Sequence, residues 1–292
     1  MKLNMGLMGR LAIFATAVIW GTSFVVLKNT LDSMGTLWVL AIRFTVSAFL
    51  LCLMAGRHLK SISKPCIKGG VMMGIFLAAA YIVQTYGLLY TTPGKNAFLT
   101  ATYCVLTPFL AWLVYKRKPG MFNVVAAVFC IAGVGFVSLN EGFSDINIGD
   151  VLTIICGLFY SFQIILLENY SDAGEASTLT AVQFVTAALI CWIGALIFEA
   201  PPQNVPASAW MEIAYLSVMC TAVCFYLQAW GMKYTPSSTV AMIMTLEAVF
   251  GVIFSVLLFK EVVTVKMLIG YVLIFVAVVF SEAQPLKGRK LV

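Results

Sequence analysis

The sequence predicts an all-α integral membrane protein with ten transmembrane helices arranged as two inverted five-helix repeats. Of its 292 residues, 62% are hydrophobic and only 10% are charged, which excludes a soluble protein with a normally polar surface. A transmembrane helix needs about 20 apolar residues, so ten such helices leave only short connections. No soluble catalytic domain fits in the remainder.

The second half of the chain repeats the first half. Positions in the third to fifth predicted helices recur 144 residues later: Gln84, Gly87, Tyr90, Thr91, Ala97 and Lys116 return as Gln228, Gly231, Tyr234, Thr235, Ala241 and Lys260. Earlier positions recur 140 residues later: Gly9, Asn29, Asp32 and Phe44 return as Gly149, Asn169, Asp172 and Phe184. An odd number of helices per repeat inverts the second repeat in the membrane. We therefore divide the chain into repeats 1–140 and 141–292, an organisation typical of alternating-access transporters.

Hydrophobic runs and turn residues set the individual helices. Thr91-Thr92-Pro93-Gly94 and Tyr234-Thr235-Pro236-Ser237 turn the chain at matching points of the two repeats, and Pro201-Pro202 breaks it before the eighth helix. The glycines Gly69, Gly70, Gly74, Gly133 and Gly135 are expected to permit close helix approach. The predicted helices are 11–29, 37–55, 69–90, 97–115, 122–139, 150–168, 177–198, 210–232, 239–259 and 265–281.

The distribution of basic residues predicts the orientation. If both termini are cytoplasmic, thirteen Lys and Arg residues fall in inside segments and four in outside segments, as the positive-inside rule requires. Lys116-Arg117-Lys118 then faces the cytoplasm, whereas its repeat counterpart Lys260-Glu261-Val262 faces outward with less positive charge. The expected location is the plasma membrane, with the protein crossing it many times.

The charge and cysteine content exclude several other classes of function. The net charge of +6 comes from short basic clusters between hydrophobic runs, so we expect no nucleic-acid partner. Eight cysteines lie almost wholly in apolar runs, and the chain has a single histidine, His58. Both observations argue against a metal site or a disulfide framework. The sequence has no GxxxxGK[ST] element, the phosphate-binding loop of ATPases, so nothing supports ATP-driven transport by this chain alone. We therefore expect neither a metal nor another cofactor.

Aromatic and polar residues three positions apart mark candidate cavity walls, because this spacing puts both side chains on one helical face. Trp20/Ser23 and Tyr160/Gln163 are repeat counterparts, as are Tyr81/Gln84 and Phe225/Gln228. These faces could bind a small substrate by amide hydrogen bonds and aromatic stacking. Alternatively, Gln84 and Gln228 could only join neighbouring helices.

Two charged residues lie well inside predicted helices, where they need an explanation because an intramembrane charge costs about 2.5–3.5 kcal/mol. Glu247 could bind a cation or a proton, and Arg43 could gate the pathway or contact an anion. Both could instead be scaffold, the interpretation that we favour for Arg43. Tyr103 is the repeat counterpart of Glu247 and is expected to face the same cavity. The candidate site therefore comprises Trp20, Tyr81, Gln84, Tyr103, Tyr160, Gln163 and Gln228 for substrate binding, and Glu247 and Arg43 for coupling or gating.

Several short motifs occur in a distinctive order: Trp20-Gly21, Arg43-Phe44, Gln84-Thr85-Tyr86-Gly87-Leu88, Leu246-Glu247 and Lys260-Glu261. Together they resemble the EamA-type drug/metabolite transporters over essentially the whole chain. The resemblance implies a ten-helix carrier with a central cavity that moves small metabolites, often outward. The chain departs from the family pattern at Ala248, where a proline is common after the glutamate, and at Arg117, where an acidic residue is common.

The leading hypothesis is a secondary active transporter, in the export direction, for a small metabolite, an amino acid or an organic cation. Its partners would be this substrate, membrane lipids and a coupling proton, and the protein would be a monomer or a weak dimer. A membrane-embedded receptor or scaffold is the alternative, although it would not need polar faces in both repeats. A membrane enzyme is less favoured, because the single histidine lies in a predicted basic loop, and we expect no catalytic activity.

The topology is testable by cysteine labelling on a cysteine-free background. We predict that both termini and the loops Arg57–Lys68 and Lys116–Lys118 are cytoplasmic, because positive charge is retained on that side. An impermeant maleimide added outside intact cells should label none of these four segments. Labelling of any one of them before lysis would overturn the orientation.

Overall fold

The computed structural model describes residues 5–116, 118–139, 147–170, 176–235 and 237–282, and this part of the chain is helical with no strand. Eight stretches are long and apolar enough to cross a membrane, and two shorter apolar helices follow them at 242–258 and 265–281. The predicted repeat boundary at 140 and 141 and the basic residue Arg117 lie outside the described residues. The helices are α1 (Met5–Leu31), α2 (Thr36–Ala55), α3 (Lys64–Tyr90), α4 (Pro93–Thr100), α5 (Tyr103–Tyr115), α6 (Met121–Ser138), α7 (Ile148–Tyr170), α8 (Ala176–Phe198), α9 (Ala207–Ser217), α10 (Cys224–Met232), α11 (Ser237–Met244), α12 (Leu246–Leu258) and α13 (Val265–Glu282).

Three predicted spans are interrupted rather than continuous. The fourth span divides into α4 and α5 at Ala101 and Thr102, and the ninth divides into α11 and α12 at Thr245. Thr102 Oγ1 donates to the Leu99 carbonyl at 2.6 Å, and Thr245 Oγ1 donates to the Met242 carbonyl at 2.7 Å. Each hydroxyl therefore bonds a carbonyl of the helix that ends at the break. Because 101 and 245 are repeat counterparts, the two breaks fall at the same repeat position.

The eighth span is interrupted by a π-helical segment, Val218–Val223, between α9 and α10. Backbone carbonyl groups in and next to this segment accept hydrogen bonds from side chains of other helices. Trp20 Nε1 donates to the Cys220 carbonyl at 2.7 Å, and Ser47 Oγ donates to the Ser217 carbonyl at 3.0 Å. Helices α1 and α2 are thereby tied to the irregular part of the eighth span, which satisfies polar groups that hydrocarbon could not.

Glycines bring the helix backbones into close contact. A Cβ atom at Gly87 of α3 would lie 2.9 Å from the Gly149 carbonyl oxygen of α7, and one at Gly231 of α10 would lie 2.8 Å from the Gly9 carbonyl oxygen of α1. Helices α6 and α13 approach in the same way through Gly133. The expectation of close approach is therefore confirmed for four of the five predicted glycines, Gly69, Gly70, Gly74 and Gly133.

The expectation was wrong for Gly135. A Cβ atom there would meet only Leu139 Cδ1, at 3.9 Å and within its own helix. Sequence periodicity and composition cannot tell which of Gly133 and Gly135 lies at a helix contact, because this depends on which face of α6 meets α13.

Carboxylates hold one end of the helix bundle together. Glu199, after α8, accepts hydrogen bonds from the backbone N–H groups of Leu37 and Trp38 at the start of α2, at 3.0 and 3.3 Å. Glu261, after α12, accepts from Thr92 Oγ1 at 2.5 Å and from the Gly94 N–H at 3.0 Å, at the start of α4. An anion at a helix N-terminus satisfies free N–H groups and complements the helix dipole. These acids therefore fix the starts of α2 and α4.

The glycine contacts predict a clear difference between two matched substitutions. Gly87→Ala should lower the free energy of unfolding by about 1–3 kcal/mol, because its methyl group would meet the backbone of α7. Gly135→Ala has room for its methyl group and should cause no loss. Thermal unfolding of both purified variants in detergent provides the comparison, and equal stability of the two would contradict the packing described here.

Candidate functional site

All nine residues predicted for the site line one cavity of about 230 Å³ in the helix bundle. They come from seven helices of both repeats, so the cavity exists only in the assembled fold. Besides them, the wall includes Ser23, Thr100, Gln183, Phe225 and Met244. The predicted residues on the wall are Trp20, Arg43, Tyr81, Gln84, Tyr103, Tyr160, Gln163, Gln228 and Glu247.

A second chamber of about 250 Å³ lies beside the first, between α4, α5, α10, α11, α12 and α13. Arg43 does not line it, so Glu247 is its one charged wall residue in the described part of the chain. Five residues line both chambers: Thr100, Tyr103, Gln228, Met244 and Glu247. We call these five residues the junction; Thr100, Tyr103, Met244 and Glu247 lie next to the two helix breaks, and Gln228 is contributed by α10.

Glu247 occupies the first turn of α12, directly after the break at Thr245. The N-terminus of a helix carries a partial positive charge, which stabilises a nearby carboxylate. No hydrogen bond from the described residues occupies the Glu247 carboxylate, and its side chain borders both chambers. The break therefore places an acid inside the bundle where a ligand can reach it.

Arg43 is almost fully buried, with 2% of its surface exposed. Its Nε donates to Thr221 Oγ1 at 3.2 Å, and its guanidinium carbon lies 5.0 Å from the centre of the Tyr81 ring, within the range of a cation–π interaction. Both Arg43 and Glu247 are described, and no salt bridge joins them. The cavity thus presents one group of each sign, held apart by the surrounding side chains.

Aromatic rings form much of the remaining wall. Trp20 lies 5.6 Å from Phe225 between ring centroids, and Tyr160 lies 5.7 Å from Tyr81 and 5.9 Å from Tyr103. These separations are typical of edge-to-face and tilted ring pairs. The rings therefore support one another and present a largely preformed apolar surface to the cavity.

The predicted glutamines differ in their partners. Gln84 Nε2 donates to Thr100 Oγ1 at 2.8 Å, and Gln84 Oε1 accepts from the Tyr160 hydroxyl at 3.0 Å. Gln163 Nε2 donates to Gln183 Oε1 at 3.3 Å. Gln84 and Gln163 therefore line the cavity and also join helices. For Gln84, cavity lining and helix joining were the two alternative interpretations, and they are compatible.

Thr100, Gln183 and Met244 complete the wall but are not among the predicted site residues. Thr100 lines both chambers, and Gln183 completes the wall by bonding Gln163. Met244 could have been found, because it is the repeat counterpart of Thr100. Methionines at helical spacing more often pack in the core, so the apolar side chain of Met244 gave no sign of a position on the cavity wall.

A helical bundle with a polar cavity among apolar helices defines a class of membrane protein suited to small-molecule ligands. The chain belongs to the EamA-like transporter family, whose model matches residues 7–139 and 147–282. It is therefore a membrane transporter of this family.

Individual relatives agree with this assignment. The chain is 33% identical over 274 residues to an uncharacterized transporter of Archaeoglobus fulgidus, and this alignment covers 94% of this chain and 85% of the relative. It is 20% identical over 275 residues to the uncharacterized transporter YoaV of Bacillus subtilis, covering 90% of this chain and 93% of that one. A crystal structure described only as that of a protein superposes with a TM-score of 0.67, at 15% identity, over 93% of this chain and 95% of the other. That structural likeness shows a shared fold.

The bond from Trp20 to the π-helical segment predicts a measurable stability effect. Trp20→Phe keeps an aromatic ring in the wall but removes the donor to the Cys220 carbonyl, and should lower the free energy of unfolding by about 1 kcal/mol. Trp210→Phe is the matched control, because Trp210 is 46% exposed. If both variants unfold at the same temperature in detergent, the Trp20 bond does not stabilise the segment.

Proposed function

We propose that this transporter is a secondary active carrier that exports a small metabolite, an amino acid or an organic cation by alternating access through the central cavity. The observation that carries the proposal is the convergence of nine polar, charged and aromatic residues from both repeats on one cavity. In this proposal the chain lies in the plasma membrane with both termini cytoplasmic, and functions as a monomer or a weak dimer. A scaffold would need no such cavity, and a receptor would not need polar faces in both repeats.

Paired contacts support an inverted arrangement of two five-helix repeats. The approach of Gly87 to Gly149 has its counterpart in the approach of Gly231 to Gly9, since the sequence repeat relates these two pairs. The breaks at 101 and 245 are related in the same way. Interrupted helices at corresponding positions of two repeats indicate the substrate site of a transporter.

The wall chemistry supports the proposed substrate classes. A chamber of about 230 Å³ is smaller than most drug-binding pockets, which favours a metabolite of about amino-acid size. Arg43 would face the anionic end of a zwitterion and Glu247 the cationic end, while Trp20 and Phe225 would contact an apolar side chain. An organic cation would use the acid and the rings alone.

Glu247 is the proposed coupling residue. Its carboxylate borders both chambers, so a proton or a cationic substrate could reach it from either one. A carboxylate can hold either of these two in turn, whereas a glutamine takes up no proton near neutral pH and has no negative charge to balance a cation. Competition for one group is a simple way to exchange a proton for a substrate.

The coupling role predicts that Glu247→Gln inserts and folds but no longer drives transport from a pH gradient. Purified protein would be reconstituted in liposomes, and substrates first identified by a thermal-shift screen of metabolites. Wild-type protein should concentrate such a substrate when a pH gradient is applied, and Glu247→Gln should not. Glu168→Gln is the control, because Glu168 is exposed and lines neither chamber.

Two results would contradict the proposal. If Glu247→Gln still concentrates substrate with an unchanged pH profile, Glu247 is scaffold and the coupling role fails. If wild-type protein binds metabolites but moves none across the liposome membrane, the carrier mechanism fails and the receptor alternative is favoured.

A further inference from the structure

The two repeat-related glutamines Gln84 and Gln228 are used differently. Both ends of the Gln84 amide are occupied, by Thr100 Oγ1 at 2.8 Å and by the Tyr160 hydroxyl at 3.0 Å. The Gln228 amide has no hydrogen bond to any residue that the structure describes, and its side chain lines both chambers. Gln84 is thus fixed by protein partners, and Gln228 is available to a ligand.

The sequence explains this loss of symmetry. At the position of Thr100, the other repeat has Met244, whose thioether is only a weak acceptor. At the position of Tyr160 it has Trp20, whose single indole donor is already bonded to the Cys220 carbonyl. Both protein partners of Gln84 are therefore replaced by side chains that cannot serve Gln228 in the same way.

Gln228 also shares the junction with Glu247. An ionised carboxylate offers only acceptors, and the amide of Gln228 offers a carbonyl oxygen on the wall of the same two chambers. Aromatic residues of the first chamber, Trp20 and Phe225, can contact a cation through their ring faces. An acceptor pair with aromatic neighbours suits a protonated amine, which brings three N–H donors.

We infer that Gln228, and not its repeat counterpart Gln84, determines specificity by accepting a hydrogen bond from a protonated amino group that Glu247 binds at the junction. This inference rests on the proposed function and names the group of the substrate that is recognised. It makes a distinction that charge alone would not make: an ammonium that can donate hydrogen bonds is preferred to a quaternary ammonium of the same charge.

The test uses two probes, 2-phenylethylamine and its N,N,N-trimethyl derivative, with purified full-length protein in detergent. Both probes carry one positive charge and one aromatic ring, but only the first has N–H donors. Wild-type protein should bind the primary amine about tenfold more tightly, as expected for one hydrogen bond to a charged group. Gln228→Leu should remove most of this preference, whereas Glu247→Gln should weaken the binding of both probes.

Gln84→Leu is the matched control, because it removes the same amide from the other repeat. It breaks two bonds between described residues, so it should lower the unfolding temperature while changing the ratio of the two affinities much less than Gln228→Leu does. Because the loss of two bonds can unfold this control in detergent, a second pair of variants keeps both glutamines. Met244→Thr supplies the partner that Thr100 supplies to Gln84, and it should reduce the preference for the primary amine more than Met244→Leu does.

The outcomes separate this inference from the proposed function. Equal effects of Gln228→Leu and Gln84→Leu on the affinity ratio would overturn the inference, as would equal affinity of wild-type protein for the two probes or no binding of either. Liposome transport of a screened substrate with dependence on Glu247 would leave the carrier mechanism standing in each of those cases. Loss of the preference in Gln228→Leu and Met244→Thr, but not in the controls Gln84→Leu and Met244→Leu, would support the inference.

Discussion

Hydrogen bonding of the backbone within hydrocarbon is the constraint on which the rest of this structure depends. Water does not reach the bilayer core, so irregular backbone survives only where protein groups or a cavity satisfy it. In this chain, such backbone occurs at Thr102, at Thr245 and in Val218–Val223. Threonine hydroxyls, Trp20 and Ser47 supply the missing partners. The two helix breaks adjoin the second chamber, whose wall includes Ala101 and Thr245.

The sequence predicted the spans and the polar faces because both depend on local patterns. Twenty apolar residues in a row define a span, and residues three apart share a face whatever the tertiary structure. Pairs such as Tyr81/Gln84 and Trp20/Ser23 were therefore found. The helix breaks were not found, because a threonine within an apolar run usually bonds to its own helix without ending it. Whether Thr245 bends the chain depends on the space beside it, which single-sequence patterns do not contain.

The carboxylates at one end of the bundle were overlooked for a different reason. Glu199, Glu261 and Asp150 lie near predicted helix ends, where acids weigh little in the topology rule. In the structure, Glu261 binds the start of α4, and Asp150 accepts from Thr91 at 2.5 Å and lies 3.6 Å from Lys95 Nζ. Their partners come from distant parts of the chain, so no local signal marks them. Glu261 and Asp150 hold the start of α4, whose other end reaches the junction at Thr100.

A duplicated sequence starts with two equivalent sites, whereas a carrier that binds one asymmetric molecule needs them to differ. In this chain the glutamines are conserved between the repeats, and their surroundings have changed: Thr100 against Met244, Tyr160 against Trp20, and Tyr103 against Glu247. One side of the cavity has consequently become an internally bonded wall. The other side keeps an amide and an acid without protein partners among the described residues. In the proposed carrier, ligand recognition would therefore depend on positions where the two repeats differ, because these differences leave Gln228 and Glu247 without protein partners among the described residues.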